Sequence, residues 1–297
     1  MPRLVECVPN VSEGRRGDAI DRMADAIRSI EGVRLLDRTS DVDHNRSVFT
    51  YAGEPEALLA ATHALVDAAY REIDMRTHKG EHPRVGAVDV VPFIPLAGMT
   101  MDDCVELAHR FGREVAERHR VPVFYYAKAA TRPDRVRLPD IRKPEYEGLA
   151  GLLESSHVPD AGPRTLHPAA GAMVVGARPF LIAFNIELAS TDLKLAQRIA
   201  KEIRESSGGL AAIQAKGFML SDPPRAQVSM NLLDFATTSL PTVWAEVERR
   251  AGAAGVKILR GELIGLIPLD AVLQVAAQAL RLEGVSRDRV IEAHFLE

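Results

Sequence analysis

The sequence predicts two α/β (α+β) subdomains, each with the ferredoxin-like strand and helix order βαββαβ, the first extended by an extra helix and strand. Three observations carry this. The chain has 297 residues, and at roughly 150 residues per domain that length suggests two. Apolar residues alternate between strand-like runs and stretches with the 3.6-residue period of a helix. The pattern weakens around residues 131–168, where Pro, Gly and Arg accumulate, and then starts again. These observations place the subdomains at residues 1–178 and 179–297.

Residues 4–8 read as the first strand. Ile20, Met23, Ala24, Ile27 and Ile30 then fall on one helical face across residues 18–30, and Gly32 closes that helix. Strands follow at 33–36 and 47–51, separated by residues 37–46, whose Asp, Ser and Asn read as a loop. Pro55 suits the first turn of a helix over 55–73, with Leu58, Leu65, Val66, Ala69 and Ile73 on one face. Residues 85–94 make the fourth strand. Thr100 and Asp103 resemble a capping box for a third helix bearing Cys104, Leu107, Ala108, Phe111 and Val115, and 121–126 is a fifth strand. A short helix is expected within 145–153. The second pass gives a strand at 180–186, a helix at 192–205 with Leu195, Ile199 and Ile203 in line, strands at 210–218 and 225–232, a helix at 241–253, a strand at 256–259 and a last helix at 269–282. No residue-level repeat links the halves, so the duplication is one of pattern.

Composition excludes several roles. Lys and Arg number 37 against 41 Asp and Glu, a net charge of −4, which gives no general affinity for nucleic acid or anionic membrane. Aromatic residues are 5% of the chain, and no strand carries the aromatic platform of an RNA-binding sheet. The longest apolar stretch, 263–280, is broken by Asp270, Gln274 and Gln278, short of the roughly 18 apolar residues of a membrane span. The N-terminus has no apolar core of a signal peptide, so a cytoplasmic location is expected. Cys7 and Cys104 form no metal-binding or disulfide pattern. No GxGxxG is present, and the string from Gly171 to Arg178 lacks the Lys-Ser/Thr pair of a P-loop.

Four polar strings remain. The densest is Thr77-His78-Lys79-Gly80-Glu81-His82-Pro83-Arg84, which gathers acid, base and cation in one turn; as a solvated loop it needs no function. Gly80 and Pro83 remove the helix that paired zinc-binding histidines require, so no metal is expected. A second string, Asp41-Val42-Asp43-His44-Asn45-Arg46, is either a turn or part of a site. In the expected topology its loop lies at the opposite sheet end from 77–84, and the two meet only if they bend over the sheet face. Asn10-Val11-Ser12-Glu13-Gly14 offers a helix N-terminus for an anion or a plain helix start. Arg132, Arg135, Arg137, Arg142 and Lys143 are a local basic run, read as a solvated loop or as a partner for a polyanionic tail.

Together these strings resemble the glutamate formimidoyltransferase family, also found as the N-terminal half of formimidoyltransferase-cyclodeaminase. The resemblance runs through Leu4-Val5-Glu6-Cys7-Val8-Pro9-Asn10, Ser12-Glu13-Gly14, Ile73-Asp74-Met75, His78 to Arg84, Pro92-Phe93-Ile94-Pro95, Phe180 to Asn185 and Asn231 to Phe235. It implies two α/β subdomains, a homodimer, and transfer of a formimino group from N-formimino-L-glutamate to N5 of tetrahydrofolate during histidine breakdown. A monofunctional chain without the cyclodeaminase domain is expected at this length. By resemblance the catalytic histidine is His82, and the folate contacts are Gly162, Pro163, Arg164, Thr165, Leu166, His167, Pro168, Ala169, Ala170 and Gly171. Thr39 stands where the animal family is expected to have an aspartate, and Asp37, Asp41 and Asp43 are the neighbouring carboxylates that could assist instead, of which Asp43 is assigned. Asn10, Asn45, Arg46, Lys79 and Arg84 are expected to bind substrate. A glutamate formyltransferase, or an enzyme acting on 5-formyltetrahydrofolate, is the near alternative, and a non-catalytic folate-binding or scaffolding protein the distant one.

Overall fold

In the computed structural model, which describes residues 2–295, the chain divides into two compact units, Met1–Arg178 and Pro179–Glu297. The first contains β1 (Leu4–Cys7), β2 (Asn10–Val11), α1 (Gly17–Arg28), β3 (Val33–Asp41), β4 (Arg46–Gly53), α2 (Pro55–Glu72), β5 (Val88–Ala97), α3 (Met101–His119), β6 (Val123–Ala127), α4 (Leu138–Arg142), α5 (Glu145–Leu149) and β7 (Met173–Ala177). Strands β1 and β2 act as one interrupted strand, antiparallel to β4 on one side and β5 on the other. β3 pairs outside β4, while β7 and then β6 extend the sheet beyond β5 in parallel. Apolar residues of α1, α2 and α3 cover one face. On the other, Ile141, Leu149 and Leu153 pack against Val90, Phe124, Tyr126 and Val174. This two-sided cover explains why β5 reads as a nearly continuous apolar run.

The second unit contains β8 (Ile182–Leu188), α6 (Leu193–Ile203), β9 (Ile213–Ser221), β10 (Pro224–Leu232), α7 (Leu240–Ala253), β11 (Ile258–Ile264) and α8 (Leu269–Leu280). Its sheet is wholly antiparallel, in the order β11, β8, β10, β9. Alternation sets its faces: Ala226, Val228, Met230 and Leu232 enter a core with Leu195, Ile199, Val243 and Val247. The α/β class agrees with the sequence, and so does the element order apart from β7, α4 and the division of the first strand into β1 and β2. Helix starts do as well: Thr100 and Asp103 form a reciprocal capping box, and Asp192 and Ser239 accept backbone N–H groups at the starts of α6 and α7.

Three expectations change. Residues 37–41 belong to β3 rather than to a loop; β3 is a sheet edge, largely exposed beyond Asp37, so polar side chains are what its position demands. β7, inserted between β5 and β6, has no counterpart in the sequence pattern. Strand directions also revise the expected loop positions. β1/β2 runs antiparallel to both β4 and β5, so the turn into α1, the β3–β4 hairpin and the α2-to-β5 connection all fall at one sheet end. No bending over the sheet face is needed.

Candidate active site at one end of the first sheet

Backbone contacts hold the three polar strings together. A Cβ on Gly14 would lie 2.1 Å from the Asp41 carbonyl oxygen, and one on Gly80 would lie 2.2 Å from that of His44. Only glycine permits these approaches. Asn45, with φ of 49°, joins the three segments: its Oδ1 accepts the Gly14 N–H at 2.9 Å, its Nδ2 donates to the Lys79 carbonyl at 3.0 Å, and its carbonyl meets His78 Nε2 at 3.0 Å. The Glu81 N–H also donates to the Asp43 carbonyl at 3.3 Å. The resulting cavity is lined by Val11, Ser12, His44, Asn45, Arg46, His78, His82, Arg84 and Asp89.

The two histidines of the 77–84 string have different surroundings. Both ring nitrogens of buried His78 are engaged, Nε2 with the Asn45 carbonyl and Nδ1 as acceptor from Arg84 Nε at 3.2 Å. His82 Nδ1 lies 2.7 Å from the Pro83 carbonyl, a contact that requires the proton on Nδ1 and leaves the Nε2 lone pair available. Burial first, then the positive charges of Arg46 and Arg142, push the His82 pKa down to about 3. The imidazole is therefore neutral across the physiological range.

The arginines divide in the same manner. Arg84, 6% exposed, donates to Glu145 at 2.9 Å and to Glu147 at 2.8 and 2.6 Å, besides its bond to His78. Its guanidinium, expected to take a substrate carboxylate, is thus committed to tying α5 to the 77–84 loop. Arg46 is different. Its Nε is buried without a hydrogen-bond partner among the described residues, and burial followed by repulsion from Arg142 lowers its pKa to about 10.

Asp89 and Arg142 join the site although the sequence pattern assigns neither to it. Asp89, 2% exposed, accepts the Val85 N–H at 2.8 Å and pairs with Arg142 of α4. A lone carboxylate inside the apolar strand from Val88 to Ala97 was the available signal. Asp43 is exposed and lies outside the cavity wall, whereas nearby Asp41 bonds the His44 backbone at 2.7 Å and its ring at 3.0 Å. Lys79 is exposed, and the buried Asn10 bonds its Nδ2 to the Val8 carbonyl at 2.9 Å. The anion position at the start of α1 is filled by Glu13, whose carboxylate accepts the Arg15 and Arg16 N–H groups at 2.9 Å. The basic run is dispersed as well. Arg135 is buried over the Phe124 ring and Arg142 is paired, while Arg132 and Arg137 face Asp134 and Asp140.

The segment from Gly162 to Gly171 reaches the same sheet end. The Met75 N–H donates to the Ala169 carbonyl at 2.8 Å, the Ala87 N–H to Ala170 at 2.9 Å and the Ala172 N–H to Val85 at 2.9 Å. Pro168 accepts from the Tyr146 hydroxyl at 2.5 Å, and His167 Nδ1 from the Ala170 N–H at 2.9 Å. Gly162, Arg164, Thr165 and Pro168 are exposed, while Pro163, Leu166, His167 and Ala169 are half-buried. Among the described residues no group of three or more His, Cys, Asp or Glu is arranged to hold a metal ion.

Comparison with known proteins gives this site a family. Residues 4–178 match the formiminotransferase domain, N-terminal subdomain, and residues 183–292 match the formiminotransferase domain. The chain belongs to the formiminotransferase family. It is 42% identical to the glutamate formimidoyltransferase of Streptococcus pyogenes serotype M1, with 100% of both chains covered. Identity is 41% to the glutamate formimidoyltransferase of Thermoplasma acidophilum, over 97% of this chain and 96% of the other. The formimidoyltransferase-cyclodeaminase of Rattus norvegicus is 46% identical over 93% of this chain but 52% of its own length, so this chain spans about half of that bifunctional relative. Every residue lining the cavity lies within the part matched by the N-terminal subdomain of the family.

Proposed function

We infer that the protein is a glutamate formimidoyltransferase that moves a formimino group from N-formimino-L-glutamate to N5 of tetrahydrofolate and releases L-glutamate, a step of histidine degradation. The observation that carries this reading is the full-length likeness to the streptococcal enzyme of that name. The site supplies fitting chemistry. Attack by N5 on the amidine carbon requires removal of the N5 proton, and collapse of the tetrahedral centre requires a proton on the departing glutamate nitrogen. His82 Nε2 is the group assigned to both transfers, because its lone pair is available while His78 is bonded at both nitrogens.

Arg46 is assigned to a carboxylate of the donor, since a guanidinium suits bidentate recognition of that group. Asp43, at the hairpin tip, is retained as the carboxylate facing the cationic amidine from the solvent side. Asn45 and Arg84 act through the loops they hold, and the exposed parts of residues 162–171, with Lys79, are assigned to tetrahydrofolate and its glutamyl tail. Asn10 keeps the turn beneath the substrate in place. Tetrahydrofolate enters as co-substrate, and the chemistry assigned to these residues uses no metal. A homodimer and a cytoplasmic location complete the reading; no helix among the described residues is long and apolar enough to cross a membrane.

Purified protein assayed with tetrahydrofolate and either N-formimino-L-glutamate or N-formyl-L-glutamate tests the proposal. Turnover with the formimino donor at least about tenfold above the formyl donor is expected, because only the amidine carries a cation for Asp43 to select, and a tenfold ratio needs only about 1.4 kcal/mol. A preference for the formyl donor would move the assignment to the formyltransferase alternative.

A further inference from the structure

Arg46 of β4 lines the cavity together with His82 and Asp89, and Arg142 of α4 reaches it by its pairing with Asp89, so that one carboxylate serves two guanidinium groups unequally. Asp89 pairs with Arg142 and uses its other oxygen on the Val85 N–H. The Nε atoms of both arginines are buried without a hydrogen-bond partner among the described residues, but only Arg142 has an ion pair. The remaining charged or titratable neighbours are accounted for. On the hairpin, His44 is edge-on to His82 with centroids 5.8 Å apart and is itself paired to Asp41. On the 77–84 loop, Arg84 is neutralised by Glu145 and Glu147 of α5, and His78 is bonded at both nitrogens. Among the described residues, Arg46 is therefore the cation lining this cavity that has no ion pair and can take an incoming anion.

We propose that Arg142 and Arg46 share the electrostatic control of the cavity unequally. Arg142 is a positioning residue that occupies Asp89 and so keeps that carboxylate from Arg46, and Arg46 receives a donor carboxylate whose arrival relieves the repulsion a protonated His82 would meet. This rests on the assigned formimino transfer. When His82 takes the N5 proton it becomes an imidazolium beside the Arg46 guanidinium, an arrangement that costs least once Arg46 is ion-paired, as Arg142 already is. The site thus works as a base when the donor is seated and resists protonation when it is not. The direction of the His82 shift in the unliganded protein, downward through Arg46 and Arg142 after burial, agrees with this.

The test uses glutarate, which has both carboxylates of the donor and no group to transfer, so it reads the coupling apart from turnover. The His82 ring is followed by NMR from pH 2.5 to 8, a range that brackets its unliganded pKa of about 3, with and without saturating glutarate, in the wild type, Arg46→Gln and Arg46→Lys. In the wild type, glutarate should raise the His82 titration midpoint by about one unit or more, the usual effect of an added opposite charge nearby. Arg46→Gln should bind glutarate at least about tenfold more weakly and show a high midpoint without it, while Arg46→Lys should retain part of the ligand-induced rise. A wild-type midpoint unmoved by bound glutarate, a full rise in Arg46→Gln, or failure of the wild type to bind glutarate would each overturn the proposal. If the midpoint moves as expected but neither donor turns over, the coupling stands and the assigned reaction fails.

Discussion

Asp89 in the first unit and Glu187 in the second are both strand carboxylates 2% exposed, and each has two arginines in its surroundings. Glu187 engages both of its own, Arg225 at 3.0 Å and Arg260 at 2.6 Å. Asp89 engages Arg142 and leaves Arg46 without an ion pair among the described residues. Buried ionised groups are costly without partners. The second unit meets that cost internally, whereas the first retains part of it beside a histidine with an available nitrogen. A guanidinium left unpaired at a cavity is thus a stronger pointer to binding than the number of charges in a loop, and the comparison can be tested from either side.

The largest effect is expected where the two histidines are set against each other. His82→Asn should lower turnover by about 10² to 10⁴ with folate affinity retained, the usual contribution of a positioned acid–base group. His78→Asn should instead cost stability, about 1 to 3 kcal/mol for a buried network left partly unsatisfied, with a smaller loss of turnover. Steady-state kinetics and denaturant melts of both variants separate the roles; the reverse pattern would make His78 the base.

A second contrast sets the two carboxylates against each other. Asp89→Asn strands Arg142, whose side chain is 11% exposed, and breaking a buried pair in this manner typically costs about 3 to 5 kcal/mol. Glu187→Gln should cost less, because its arginines are 36% and 65% exposed and water can receive them. Equal losses in chemical denaturation would remove the distinction between the two carboxylates.

A further effect lies in the acid limb of stability. His82 has a folded pKa of about 3 against an ordinary value of 6.5, so between those limits the unfolded chain binds the extra proton. Its contribution is fully present above about pH 6.5 and is lost as pH falls towards 3. His82→Asn should flatten the stability profile over that window, whereas an unchanged slope would place the acid sensitivity elsewhere.

The sequence reveals the helices, most strands and the strings that meet at the site, because periodicity and capping are local signals. It conceals what depends on partners. His78 and His82 look alike in an eight-residue string, and only the Asn45 carbonyl and the Arg84 guanidinium distinguish them. Arg84 and Arg46 are equal candidates in the sequence, and what separates them is Glu145 and Glu147, about 60 positions beyond Arg84, which occupy its guanidinium. Residues 37–41 are polar enough to read as loop, since nothing in the composition announces a sheet edge. The hairpin falls at the far end when strand order alone is considered, because strand direction follows from which strands pair.

The place of β7 between β5 and β6 also constrains how the first unit is built. β6 pairs with β7 over its whole length, and β7 is the strand that pairs with β5. When residues 123–127 leave the ribosome, the strand that must join them to the sheet lies some 50 residues further along the chain. Chain growth proceeds from the N-terminus and distant parallel pairings form slowly, so β6 and its following helices have to wait for β7 before docking. Arg142 and the Glu145–Glu147 clamp lie in the waiting segment. The loop supplying His82 and the strand supplying Arg46 can therefore assemble first, and completion of the last strand of the unit is what turns that scaffold into a site.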